Sequence, residues 1–110
     1  MKPEDGLRAL SGYRAGDQDQ LATAVRFLLE ELGSRYPGNS VEVRVPPFGA
    51  VQCIEGPRHT RGTPPNVVEL ASADWVALAV GEIHWDALSA AGRISASGTR
   101  ADISKHLPLV

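Results

Sequence analysis

The chain has 110 residues, 43% of them hydrophobic, and a formal net charge of −2. This is the size of one domain and the composition of a globular fold, which excludes a long disordered chain and a collagen-like repeat. A nucleic-acid partner is not expected, because the chain lacks the basic excess of such binders and has only 5% aromatic residues for stacking bases. No apolar run is long enough to span a membrane and the N-terminus lacks the apolar stretch of a signal peptide, so we expect a cytoplasmic protein without an integral membrane segment.

Residues 1–16 are weakly patterned and are predicted to lead into a single domain over residues 17–110. Leu7 and Leu10 suit one anchoring turn. Glycines interrupt any long helix in this stretch, because glycine loses more backbone freedom on folding than other residues do. These glycines are Gly6, Gly12 and Gly16.

The first strong element is an amphipathic helix predicted over residues 17–33. Asp17 or Asp19 can cap its N-terminus, since a short carboxylate accepts hydrogen bonds from the free N–H groups of a first turn. Gly33 suits the cap at its C-terminus. The apolar residues recur at helical spacing on one face, which comprises Leu21, Val25, Leu28, Leu29 and Leu32.

Three strands are predicted in the middle of the chain. Val41–Val45 alternates apolar and polar residues, and the two prolines that follow it end the strand or confine it to an edge. Residues 48–54 form the second strand, and the short join favours antiparallel pairing with the first. A polar loop rich in Gly and Pro follows over residues 56–65, and Asn66–Leu70 is the third strand.

The C-terminal part of the chain combines short helices with one more strand. A helix capped by Ser72 ends at Gly81, and a shorter helix follows over residues 85–91. Residues 93–98 form the last strand. This order predicts an α+β domain, with a mostly antiparallel sheet of about four to five strands and helices on one of its faces.

The loop over residues 56–65 contains the best polar candidates for a binding site. Arg58, His59 and Arg61 could hold the carboxylate or phosphate of a ligand head group, because guanidinium groups match the geometry of both anions. The alternative is an ordinary solvated loop whose arginines pair with Glu55 or Glu69.

The apolar candidates are the leucine-rich face of the first helix together with residues from the later elements. They either wall a ligand site or form the core, which a domain of this size needs in order to fold. Besides Leu21, Val25, Leu28, Leu29 and Leu32, they are Phe48, Val51, Trp75, Leu78 and Leu88.

Motifs for catalysis or cofactor binding are not found. The chain has no phosphate-binding loop, no dinucleotide fingerprint, no histidine spacing of a metal site and no nucleophile elbow. We therefore expect no enzyme, no cofactor and no metal. The exceptions to this expectation are chemistry at His59 and a thiol reaction at Cys53. Cys53 lies in an apolar alternating strand, which instead favours a buried thiol.

Several segments of the sequence resemble segments of a known protein family. Residues 73–81 (ADWVALAVG) and 91–98 (AGRISASG) resemble the second half of sterol-carrier-protein-2-like domains, in which an aromatic residue and a leucine precede a glycine and a later Gly-basic-Ile strand ends in another glycine. Residues 43–53 (VRVPPFGAVQC) and 56–69 (GPRHTRGTPPNVVE) look like a compact bacterial branch of that group.

The resemblance implies a helix-backed sheet that encloses an apolar tunnel for lipids, fatty acyl chains or sterols, and it implies no catalytic residues. We therefore expect non-enzymatic binding or transfer of a hydrophobic small molecule or lipid, with Arg58, His59 and Arg61 at its head group. The alternative is an interaction module whose apolar face seals a homodimer or docks on a partner enzyme.

Overall fold

The computed structural model describes residues 1–56 and 65–110. Predictions for Arg58, His59 and Arg61 lie outside the described residues. Within the described ranges the chain forms four α-helices, four strands and two single turns of 3₁₀ helix. The helices are α1 (Pro3–Arg14), α2 (Leu21–Arg35), α3 (Ser72–Ala79) and α4 (Trp85–Ala90), the strands are β1 (Val41–Val45), β2 (Gly49–Cys53), β3 (Asn66–Leu70) and β4 (Ile94–Ser97), and the 3₁₀ turns are Gln18–Gln20 and Ser104–His106.

The four strands form one mixed sheet in the order β2-β1-β3-β4. β1 pairs antiparallel with β2, as predicted, and β3 pairs antiparallel with β4. β1 and β3 are parallel, with Val41 opposite Asn66. The α+β class is confirmed, but the prediction of a mostly antiparallel sheet of about four to five strands is wrong, because the described residues form a mixed sheet of four. The chain leaves β2 and starts β3 on the far side of β1, and strand patterning does not tell on which side of a hairpin the next strand adds.

The N-terminal segment is a helix of 12 residues rather than the single turn expected. The prediction that Gly6 and Gly12 interrupt it is wrong, because α1 runs through both. Gly6 is buried against the ring of Phe27, and a side chain at this position would overlap that ring. Pro3 in the first turn and the acidic Glu4 and Asp5 favour the start of the helix. The glycine thus serves the packing of α1 on α2.

α2 begins and ends later than the predicted helix over residues 17–33. Asp17 does cap a helical turn, since its carboxylate accepts a hydrogen bond from the Asp19 N–H (3.1 Å), but this turn is the 3₁₀ turn that precedes α2. Gly33 does not end the helix. A methyl group there would lie 2.8 Å from Val51 Cγ2, so glycine allows α2 to pack closely on β2.

The core lies between the sheet and the helices. α2 contacts α1, α3 and β2. The helix-facing residues of the strands, which include Val41, Val43 and Val68, are completely buried, whereas Arg44 and Glu69 on the opposite face are exposed. None of the helices in the described parts of the chain has the length and apolarity needed to cross a bilayer.

Candidate functional site: a cleft at the end of the sheet

The ten apolar residues singled out from the sequence all belong to the helix–sheet interior or pack against it. Seven of them are buried in the core. The other three are partly buried and contact that core. The buried seven are Val25, Leu28, Leu29, Leu32, Trp75, Leu78 and Leu88, and the partly buried three are Leu21, Phe48 and Val51. The indole Nε1–H of Trp75 donates to the backbone carbonyl of Val25 (3.3 Å), which ties α3 to α2.

Open space lies instead where the strands end. β1 and β3 begin at the same end of the sheet at which β2 and β4 finish, because Val41 is opposite both Cys53 and Asn66. A cleft of about 700 Å³ opens there, which we call the sheet-end cleft. It is lined by residues from the end of α2, the exit of β2 and the segment after β4: Arg35, Tyr36, Pro37, Ile54, Glu55, Thr99, Arg100, Asp102, Lys105 and His106.

Ile54 has the most unusual backbone in the cleft. Its φ of 66° lies in the left-handed region, which a β-branched residue rarely adopts. Three hydrogen bonds hold it: its N–H donates to the Tyr36 carbonyl (2.6 Å), and its carbonyl accepts from the N–H (3.1 Å) and the hydroxyl (2.6 Å) of Ser40. Gly38 lies directly against the Ile54 carbonyl and leaves no room for a side chain. Such strain is found preferentially at functional positions.

A buried asparagine joins the strands at the cleft. The Asn66 side-chain amide donates to the Ser40 carbonyl (2.8 Å), and its Oδ1 accepts from the backbone N–H of Arg100 (2.9 Å). This connection fixes the segment after β4 to the start of β1. Sequence reasoning placed Asn66 at the start of a strand and missed this role. The only available signal was a polar residue in a strand whose other residues are mostly apolar.

Charged side chains of both signs surround the cleft. Arg35 is paired with Glu31 (3.2 Å) and donates to the Leu109 carbonyl. The carboxylate of Asp102 accepts the backbone N–H of Ser104 (2.9 Å), and this hydrogen bond lowers the pKa of Asp102. Arg100 and Lys105 form no ion pair with another described residue. The undescribed residues 57–64 contain no carboxylate that could neutralise them.

Tyr36 and His106 face each other in the cleft. Their ring centroids are 4.4 Å apart and the rings are tilted by 56°. Burial lowers the pKa of His106, and the neighbouring charge of Lys105 lowers it further. The lowered pKa favours the neutral imidazole of His106 at pH 7, so the cations that line the cleft are Arg35, Arg100 and Lys105.

A second, smaller pocket lies beside the 3₁₀ turn Ser104–His106. Its volume is about 210 Å³. Leu78 is the one residue among the ten sequence candidates that borders it. The remaining lining residues are Gly81, Ile83, His84, Trp85, Asp86, Ser104, Leu107 and Pro108.

Cys53 is the only cysteine and is fully buried at the end of β2. Burial raises the pKa of its thiol to about 11, so the thiol is protonated at neutral pH and is a poor nucleophile there. Among the described residues, no three His, Cys, Asp or Glu side chains are placed so that they could hold a metal ion.

The chain is a small α+β domain with one helix-backed sheet and an open cleft at one end of that sheet. A family model described as bacterial SCP ortholog matches residues 17–109, and the chain therefore belongs to that family. The resemblance found in the sequence is confirmed. Families of this SCP-like kind are in general carriers without catalytic activity. No curated protein matches the chain.

Proposed function

We propose that this protein binds and transfers an apolar ligand, such as a lipid, a fatty acyl chain or a sterol-like molecule, and that the ligand occupies the sheet-end cleft. The observation that carries the proposal is the volume of about 700 Å³ beside a filled helix–sheet interior. Ligand sites of small molecules have volumes of about 300–1,000 Å³. The membership in an SCP family supports a lipid ligand.

The apolar part of the ligand would lie against Tyr36, Pro37 and Ile54. Tyr36 and Ile54 are partly buried and pack on the core, so they offer a firm apolar surface next to open space. Each Å² of apolar surface that the ligand covers there contributes about 25 cal/mol. The ten apolar residues predicted from the sequence belong to the core or pack against it, and a direct part for them in ligand binding stays a prediction.

The polar end of the ligand would meet Arg100 and Lys105. Both cations line the cleft without a described carboxylate partner, and a charge-assisted hydrogen bond to a carboxylate or phosphate would satisfy them. The head-group role of Arg58, His59 and Arg61 also stays a prediction. A non-enzymatic role agrees with the protonated thiol of Cys53.

The first test is whether the purified protein carries a ligand. Native mass spectrometry and solvent extraction are expected to show a bound lipid or acyl chain. Binding of a fluorescent fatty acid is expected to weaken about tenfold in Ile54→Ser, which removes apolar surface from the cleft. Leu7→Ser is the matched control, because Leu7 on α1 is 50% exposed and lies outside the cleft. A ligand-free protein that ignores fatty acids, acyl-CoA and fluorescent lipids at micromolar concentration would contradict the proposal.

A second candidate function is an interaction module that forms a homodimer. β4 is an edge strand that, among the described residues, pairs only with β3. Ile94–Ser97 has no charge and no proline, the usual devices that protect such an edge. Light scattering at increasing concentration would show a dimer that Ser95→Lys dissociates. A monomer at every concentration would exclude this candidate.

A further inference from the structure

His106 lies at the wall of the sheet-end cleft, and its backbone is anchored there. Its N–H donates to the Ile103 carbonyl (3.0 Å) in the 3₁₀ turn Ser104–His106. Buried residues hold the chain on both sides of this turn, since Ile103 is 1% exposed and Leu109 is 4% exposed. The imidazole itself is half-buried beside the ring of Tyr36. The anchored turn therefore keeps a titratable ring next to the space that the proposed ligand occupies.

The cleft contains no paired carboxylate for a proton on His106. The other charged groups that border it come from the end of α2, the exit of β2 and the segment after β4: Arg35, Glu55, Arg100, Asp102 and Lys105. Asp102 accepts the Ser104 N–H, and among the described residues neither Asp102 nor Glu55 forms an ion pair with His106. The sequence of residues 57–64 has no carboxylate. Protonated His106 therefore adds a fourth cation to the cleft without an ion-pair partner in the described parts of the chain.

The charge of His106 responds to what occupies the cleft. Burial of the ring, and then the charge of Lys105, hold the pKa of His106 below its ordinary value of 6.5. An anion beside the ring acts in the opposite direction, because an opposite charge within about 4–6 Å favours the charged form. Protonation of the ring and binding of an anion therefore favour each other, and such a coupling between two binding events is reciprocal.

We propose that His106 is a titratable recognition residue of the head-group site, which takes up a proton from solvent when an anionic ligand enters the sheet-end cleft. This inference rests on the proposed function, and it adds a pH dependence to the site formed by Arg100 and Lys105. In mildly alkaline solution the ring is neutral with and without ligand, and the two permanent cations hold the anion. The affinity rises as the pH falls through the pKa of His106 in the complex, and it levels off below the pKa in the free protein.

The first experiment observes His106 in the wild-type protein. The pKa is measured from the NMR signal of the imidazole Cε1–H without ligand, with 1-decanesulfonate and with 1-decanol. The sulfonate stays charged throughout the titration, so the ligand itself contributes no proton. The pKa of His106 is expected to rise by about one unit with the sulfonate and not to rise with the uncharged alcohol. An unchanged pKa at saturating sulfonate would overturn the inference.

The second experiment compares affinities for 1-decanesulfonate by isothermal titration calorimetry. Wild-type protein is expected to bind about five- to tenfold more tightly at about pH 5 than at about pH 8, as a rise of one pKa unit requires. His106→Gln, which keeps a polar side chain but does not titrate, should bind equally at both pH values. His84→Gln is the matched control, because His84 is exposed and lies outside the cleft, and it should keep the wild-type dependence.

The outcomes distinguish this inference from the proposed function. If the wild-type protein binds the sulfonate equally at both pH values, His106 does not recognise the head group, while binding in the cleft stands. If His106→Gln keeps the full pH dependence, another group carries it and the inference is wrong. If the wild-type protein binds neither amphiphile and no fatty acid, the proposed function fails and the inference fails with it.

Discussion

The helix–sheet interior and the sheet-end cleft are neighbouring regions of opposite character. In the interior, Leu28, Val43 and Trp75 leave no surface to solvent. One residue beyond the buried end of β2, Ile54 borders a cleft of about 700 Å³. The comparison teaches where a short chain can keep open space. Side chains fill the interior because the domain needs them to fold, whereas backbone turns at Gly38 and Ile54 shape the cleft.

The largest effect is expected from removing a buried leucine. Leu28→Ala should lower the free energy of unfolding by about 2–5 kcal/mol, because it leaves a cavity in a closely packed core. Urea denaturation measures this loss. Leu7→Ala on the exposed face of α1 should change it by less than about 0.5 kcal/mol. A loss below about 1 kcal/mol for Leu28→Ala would mean that the interior is not the filled region of the comparison.

The buried thiol of Cys53 gives a second test of the interior. Its pKa of about 11 in the folded state lies above the ordinary value of 9.0, so the unfolded state loses its proton first as the pH rises. Stability is therefore full near pH 7 and falls by about 2 kcal/mol as the pH rises to 11. Urea denaturation at pH 7 and at pH 11 measures the loss. Cys53→Ala should lack the part of the loss that comes from ionisation of the thiol. An equal loss in both proteins would disprove the assignment to the thiol.

The framework of the cleft depends on Asn66. Asn66→Ala should lower stability by about 1–3 kcal/mol, because the Ser40 carbonyl and the Arg100 N–H lose their partner. Ligand affinity should fall with it, since the segment after β4 is no longer fixed to β1. Asn39→Ala is the control, because its exposed hydrogen bond to Gln52 should contribute less than about 0.5 kcal/mol. Equal effects of the two variants would argue against a fixed cleft.

The smallest change in stability is expected at the charged rim. Arg100→Ala and Lys105→Ala should leave the free energy of unfolding within about 0.5 kcal/mol of the wild type. Each variant should weaken the binding of a fatty acid about fivefold. The affinity for the corresponding fatty alcohol, which has no charge, should not change. Arg8→Ala controls for net charge, because Arg8 lies on α1 outside the cleft and among the described residues is paired only with Asp5. If acid and alcohol respond alike, the two cations do not recognise an anionic head group.

Local patterns in the sequence predicted the elements that alternate or repeat clearly. β1 and β3 have the predicted bounds, and in β1 the strict alternation of apolar and polar residues marks a half-buried strand. The leucine face of α2 was also visible, although not whether it contacts a ligand or the core. The glycines in α1 and α2 were wrongly predicted to interrupt or end these helices. Gly6 and Gly33 instead allow close packing against residues that are distant in the sequence.

The cleft itself could not be predicted. Tyr36, Ile54, Arg100 and His106 come from separate parts of the chain, and they meet only because β3 adds parallel to β1 and brings the strand ends together. The left-handed backbone at Ile54 has no sequence signal, because isoleucine ordinarily indicates extended strand. Pattern reasoning therefore located the apolar side chains and missed the place where the fold leaves room.

The most direct test of the cleft as the ligand site is an NMR titration of the isotope-labelled protein with palmitate. The amide signals of Tyr36, Ile54, Arg100 and His106 should shift, and those of Val25 and Leu28 in the middle of α2 should stay in place. Shifts that follow the buried face of α2, with the amides of Tyr36 and Ile54 unchanged, would place the ligand in the helix–sheet interior and contradict the account.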